Sequence, residues 1–176
     1  MYDSQVFFTY QLAVITIAYK MKIHIIAVGN KLPNWINDAF NEYIKRFPQE
    51  IGIHLTEIKP EKRTSSKSTE QIHKLESQRI KSALSTRYRI IALDETGKQW
   101  TTSQLAETLK KWMQTGHDTA FVIGGADGLH ESIKQSADTI LSLSKLTFPH
   151  GLARVILIEQ LYRALSIIKN HPYHRI

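Results

Sequence analysis

Cysteine is absent from this 176-residue chain. That excludes disulfides, thiolate metal ligands and cysteine nucleophiles. Histidine and carboxylate remain as metal ligands, but neither HxxxH nor HExxH spacing occurs, so no metal site is expected. The dinucleotide fingerprint GxGxxG and the nucleotide loop GxxxxGK[ST] are also missing, which argues against dinucleotide and P-loop enzymes. No apolar run reaches the roughly 20 residues of a membrane span. The most apolar segment near the start, Leu12 to Tyr19, is short, lacks a basic stretch before it and has no A-x-A site after it. A cytoplasmic protein without membrane attachment is expected.

What is present in excess is positive charge. Lys plus Arg number 23 against 16 Asp plus Glu, a formal +7, which favours a polyanionic partner. The excess is concentrated. Lys59 to Arg89 holds nine Lys or Arg against three Glu, and Lys145 to Ile176 holds five against Glu159 alone. Asp94, Glu95, Asp118, Asp127 and Asp138 make the stretch between them more acidic. Two basic regions on one domain suit a large phosphate-rich surface better than a small anion.

Residues 1–20 are expected to be an extension outside the core, with the domain occupying 21–176. From Met21 the patterning alternates. Lys22–Val28 reads as a strand ending at Gly29, and Trp35, Ala39, Phe40, Tyr43, Ile44 and Phe47 follow at helical spacing up to Pro48. Ile51–Ile58 reads as a second strand, Pro60–Ser68 as a polar basic loop, and Ile72–Leu84 as an amphipathic helix with a basic outer face. Arg89–Leu93 is a strand. Thr102 or Ser103 caps a helix reaching about Met113. Thr119–Ile123 is a strand, Ser132–Ala137 a short helix, Thr139–Leu143 a strand and Leu152–Lys169 the last helix. Such alternation specifies an α/β domain with a mainly parallel sheet. The last helix carries two apolar sets: Leu152, Val155, Ile156 and Tyr162, and Ile158, Leu161, Leu165 and Ile168. Two sets imply burial on two sides, by the sheet and by a partner chain, with complete internal burial as the alternative. Glu159 and Arg163 are spaced to pair. Trp35, Trp100 and Trp112 read as packing residues.

Ligands of parallel sheets bind at the loops following strand ends. Three such loops stand out: Leu93–Gly97, Ile123–Gly128 and Leu141–His150. Gly124 and Gly125 allow close backbone approach, to a ligand or simply within a tight turn. Asp127 is placed to cap the following helix. At the end, His171-Pro172-Tyr173-His174-Arg175 gathers groups able to stack on a base, bind phosphate or move a proton.

These motifs together resemble a known family. MKIHIIAVGNKLPNW at Met21–Trp35, EYIKRFP at Glu42–Pro48, LDETGK at Leu93–Lys98, FVIGGADGLH at Phe121–His130, LSLSKLTFPH at Leu141–His150, RVILIEQLYRA at Arg154–Ala164 and NHPYHR at Asn170–Arg175 follow the order and spacing of the ribosomal RNA large subunit methyltransferase H family, of the SPOUT class. The match spans Met21 to Arg175. It departs in residues 1–20 and in the terminal Ile176.

The resemblance implies a SPOUT-type, mainly parallel sheet with a C-terminal trefoil knot, in a single domain. It also implies a cytoplasmic homodimer that uses S-adenosylmethionine (SAM). The expected reaction is methylation of N3 of a pseudouridine in helix 69 of bacterial 23S ribosomal RNA, on the assembled 70S ribosome. Leu93, Gly124 and the segment Leu143, Ser144, Lys145, Leu146, Thr147 and Phe148 are expected to contact SAM. Arg154, His171 and His174 are the candidates for proton removal and charge stabilisation at the substrate. The alternatives are a SPOUT methyltransferase acting on tRNA or another ribosomal position, and a noncatalytic ribosome-binding factor.

Overall fold

A computed structural model of the chain describes residues 21–29 and 31–174; the expectations for residues 1–20 lie outside them. Five strands alternate with helices: β1 (Met21–Val28), α1 (Asn34–Ile44), β2 (Ile51–Ile58), α2 (Thr69–Ala83), β3 (Arg89–Gln99), α3 (Thr102–Thr115), β4 (Thr119–Ile123), α4 (Glu131–Lys134), β5 (Thr139–Ser142) and α5 (His150–Ile168). The strands form one sheet in the order β2-β1-β4-β3-β5, and every pairing is parallel. β4 thus inserts between β1 and β3.

The period-2 patterning explains the layers. Ile23, Ile25 and Ala27 of β1 point to a core shared with Phe40 of α1, Leu105, Leu109 and Trp112 of α3, and Leu157, Leu161 and Leu165 of α5. Ile26 and Val28 point to the opposite face, with Ile80 of α2, Leu129 and Ile133. Helices therefore cover both faces, as a parallel sheet requires. Capping boxes start α2 at Ser68 with Gln71 and α3 at Thr101 with Gln104. The α3 cap is Thr101, one residue before the expected Thr102. The box explains the difference, because Gln104 is the N3 residue that returns a hydrogen bond to Thr101.

Two departures from the expected elements bear on the site. β3 continues beyond Leu93: both Leu93 and Lys98 pair with Leu141 of β5, so Asp94–Gly97 bulges out of the ladder between them. Gly97 permits this, since a Cβ there would stand 2.6 Å from the Leu141 carbonyl carbon. Trp35 is not a packing residue; it is 58% exposed, because the buried face of α1 is carried by Ile36 and Phe40.

On α5, Leu157, Ile158, Leu161, Ala164 and Leu165 are fully buried. The other expected set divides from it: Leu152, Val155 and Ile156 remain half-buried and do not join the core. Among the described residues no helix is long and apolar enough to cross a membrane.

Candidate active site

The carboxyl ends of β3, β4 and β5 open into one cavity of about 390 Å³, within the range of small-molecule sites. All three candidate loops line it, and each is fixed locally. In the first, Asp94 accepts hydrogen bonds from the Thr96 backbone N–H (3.0 Å) and hydroxyl (2.6 Å). Lys134 stands 3.6 Å from the other Asp94 oxygen. Burial alone would raise the Asp94 pKa, but the Thr96 donors and Lys134 outweigh it and hold the carboxyl below its usual range.

The second loop turns on glycine. Gly128 N–H donates to the Gly125 carbonyl at 3.1 Å, and Gly128 adopts φ +84°. A Cβ on Gly124 would lie 2.5 Å from Gly128 backbone atoms, so the turn closes only around glycine. Asp127 does not cap α4. His130 does, its ring accepting from Ser132 N–H at 3.0 Å, while Asp127 pairs with Arg63 of the β2–α2 loop.

The third loop runs from β5 at the sheet edge back to α5. Ser142 hydroxyl donates to the Ser144 carbonyl (2.8 Å), and Leu146 N–H donates to the Ser144 hydroxyl (2.9 Å). Thr147 hydroxyl reaches Glu95 at 3.2 Å, tying the third loop to the first. The loop ends at His150, whose ring packs on Gly29 so closely that a Cβ there would lie 2.8 Å from Nε2.

Of the residues expected at the cofactor, Leu93, Gly124, Leu143, Ser144, Leu146, Thr147 and Phe148 line the cavity. Lys145 is exposed and is not part of its lining. His150 belongs to the lining, although sequence reasoning named it only as the end of the loop. Burial and the neighbouring Arg154 charge both lower its pKa, so the ring is neutral at pH 7. Leu146 is 73% exposed and forms an apolar edge at the mouth.

Arg154, one helical residue past the lining Ala153, is fully buried. Its Nη1 donates to Glu57 of β2 at 2.7 Å, while Nε and Nη2 have no partner. The terminal motif lies elsewhere. Tyr173 hydroxyl donates to Glu159 (3.2 Å) and meets the Tyr43 hydroxyl (3.2 Å). Arg163 caps the Tyr173 ring at 4.9 Å and pairs with Glu159 at i,i+4, as expected. Burial, the Tyr43 hydroxyl and the Glu159 carboxylate raise the Tyr173 pKa, so its phenol stays protonated. His171 is exposed and His174 half-buried. The motif folds back along α5: His171 N–H donates to the Ser166 carbonyl at 2.8 Å, and Tyr173 reaches Glu159, which lies about 13 Å along the helix axis from His150.

Among the described residues the lining contains three carboxylates, Asp94, Glu95 and Asp127, and no lysine or arginine. Its large apolar side chains are Leu93, Ile123, Leu141, Leu143, Leu146 and Phe148. An acidic, partly apolar cavity on a strongly basic protein suits a ligand that is itself cationic and carries a flat apolar ring. Lys134 and Arg63 balance Asp94 and Asp127 from just outside the lining, which leaves Glu95 as the carboxylate without an ion-pair partner among the described residues.

Comparison with known proteins agrees with this geometry. The family model described as "Predicted SPOUT methyltransferase" matches residues 21–174. Proteins named ribosomal RNA large subunit methyltransferase H, from Burkholderia mallei (strain SAVP1) and Burkholderia pseudomallei (strain 668), are 55% identical over 155 residues, covering 88% of this chain and 99% of theirs. Among solved structures, a probable methylase family protein from Haemophilus influenzae Rd KW20 superposes with a TM-score of 0.56 at 13% identity, covering 88% of this chain and 70% of its own. A probable methyltransferase from Bordetella pertussis Tohama I gives 0.55 at 15%, covering 87% and 99%. The structural likenesses carry the fold and the sequence identity carries the family: this chain belongs to the ribosomal RNA large subunit methyltransferase H family of SPOUT methyltransferases.

Proposed function

We propose that the chain methylates N3 of a pseudouridine in helix 69 of 23S ribosomal RNA, on the assembled 70S ribosome, as a cytoplasmic homodimer using SAM. The observation that carries this is the charge of the cavity. Its three carboxylates, two of them balanced by Lys134 and Arg63, and its six large apolar side chains suit a cationic nucleoside. SAM, when bound, supplies an electrophilic methyl on a sulfonium.

The chain's own residues then have distinct tasks. Leu93, Leu143, Leu146 and Phe148 flank the adenine. Backbone groups of Gly124–Gly128 and Ser142–Thr147 bond the polar ends, and Asp94, Glu95 and Asp127 favour the positive charge. The exposed Lys145 acts at the mouth of the site. The reading includes the trefoil knot, whose wrapping segment would be Leu143–Pro149 where it crosses the strand ends towards Gly29.

N3 must lose its proton to attack. His171 and His174 do not line the cavity of their own chain, so in this reading a second copy brings them to it. The half-buried Leu152, Val155 and Ile156 supply the apolar surface for a two-fold contact that does so. Arg154 is enclosed, so its contribution is to hold Glu57 and the start of α5.

The test is transfer of labelled methyl from SAM to 70S ribosomes, free subunits and tRNA, followed by mapping of the modified base. Methylation of 70S alone, at a pseudouridine N3, is expected. Methylation of tRNA in preference, or none anywhere, overturns the assignment.

A further inference from the structure

Folding withdraws two of the three glutamates in the basic stretch from Lys59 to Arg89 from the surface. Of its three glutamates, Glu76 is 8% exposed. The Glu61 side chain is 11% exposed, and it is clasped by Lys67 and Arg79. Those two donors pull its carboxyl down to about 2, so it stays ionised and holds the loop in place. Glu76 supports the same loop by accepting the Glu61 backbone N–H at 2.9 Å. Only Glu70 remains at the surface, beside His130 at 3.1 Å. Lys59, Lys62, Arg63, Lys74, Lys81 and Arg87 are all exposed.

The outward side of α2 organises these charges. Gln71, Lys74, Gln78 and Lys81 recur at helical spacing on one stripe. With Ser66, Lys67 and Leu75, the first three line a shallow groove of about 420 Å³ between the helix and the loop. The β2–α2 loop links the groove to the cavity: its Ser66 and Lys67 line the groove, and its Arg63 reaches the glycine turn. Arg63 pairs with Asp127, and His73 Nε2, buried and without a hydrogen-bond partner, stands 4.0 Å from the same carboxylate. The β2–α2 loop therefore spans from one lip of the methyl-transfer cavity to a cationic, amide-bearing helix face.

We infer that this face, the β2–α2 loop and the outer stripe of α2, is where the RNA backbone docks, with Lys62, Lys74 and Lys81 contacting phosphates and Gln71 and Gln78 hydrogen-bonding sugar or phosphate oxygens. The inference rests on the proposed RNA substrate and assigns it a surface. Lys74 and Lys81, about 10 Å apart along the helix, contact backbone phosphates without reading sequence, leaving base selection to the cavity. Pairing with Asp127 keeps Arg63 at the junction, so the backbone is anchored beside the base to be modified.

The test compares two double variants that remove equal charge from exposed helical positions: Lys74→Gln with Lys81→Gln on α2, and Lys110→Gln with Lys111→Gln on α3. Ribosome binding is measured by co-sedimentation across a salt series, with SAM binding by calorimetry and thermal melting as controls. For the α2 pair, binding about ten-fold weaker is expected, with the salt slope smaller by about 1.5–2, and with SAM affinity and melting unchanged. The α3 pair should bind as wild type. Equal losses in both pairs would show that only net charge matters, and an unaffected α2 pair would remove the face from the interface; either result overturns the inference. Ribosome binding is read without methyl transfer. A failure of the enzymatic reading, with binding intact but no methylation, is therefore distinguishable from a failure of this one.

Discussion

Arg154 and Glu57 form an ion pair of 2.7 Å whose cation is fully enclosed and whose carboxylate stands at the sheet edge. The pair ties the first turn of α5 to the end of β2, directly behind His150. Removing the acceptor leaves a buried guanidinium without any partner. Glu57→Gln should lower unfolding free energy by about 1–2 kcal/mol, since Glu57 is itself partly solvated and a neutral amide keeps part of the bond. Urea denaturation measures this. Arg154→Met, which fills similar space without charge, should be close to neutral in stability. If it also keeps the wild-type single-turnover rate on saturating ribosomes, Arg154 has no chemical role.

The glycine turn permits a paired test. Gly124→Ala puts a methyl group 2.5 Å from Gly128 backbone, which cannot move without opening the turn. Gly128→Ala has free space but must hold φ +84°, a strain of about 1–2 kcal/mol. Gly124→Ala should therefore abolish SAM binding. Gly128→Ala should retain it in a protein that melts a few degrees lower. Calorimetry and melting curves separate the two.

Stability should fall on acidification through the histidine range. Burial, reinforced by Arg154, depresses the His150 pKa. Burial and His54 do the same for His24, whose ring stacks between His54 and Tyr88. Both are depressed in the folded state, so the unfolded chain binds protons first as pH drops below about 6.5, and unfolding gains. Above that value the effect vanishes. The double variant His24→Gln with His150→Gln should show a flatter dependence between pH 7 and 5 in urea titrations.

The proposed use of a second copy can be checked by mixing. A chain with Gly124→Ala lacks a working cavity, and one with His171→Ala and His174→Ala lacks the terminal imidazoles. Each homodimer should be inactive on ribosomes. Co-refolded mixtures should regain up to about a quarter of wild-type activity, from heterodimers holding one intact cavity opposite one intact tail. Mixtures as inactive as their parents would place both functions in the same chain.

Much of this architecture is legible in local sequence. The bounds of β2 and β4 follow directly from runs of β-branched and apolar residues between turns, and the three loops that line the cavity are those read from Leu93, Ile123 and Leu141 onward. What is not legible depends on tertiary order. Nothing near Leu93 signals that β3 resumes at Lys98 against the same Leu141, because the cause is a backbone approach at Gly97. His150 lines the cavity only because its loop crosses back to Gly29. Asp127 reads as a helix cap until Arg63, far away in sequence, is folded against it. Trp35 reads as core from its residue type alone, whereas Ile36 and Phe40 occupy the buried side of α1.

The most direct test of the acidic, apolar cavity as a methyl-donor site is calorimetric titration of SAM into the wild type and into a Leu143→Glu, Phe148→Glu variant. The expected result is saturable binding at one SAM per cavity in the wild type, with no heat in a folded variant. Absence of binding in the wild type, or equal binding in both proteins, would contradict it.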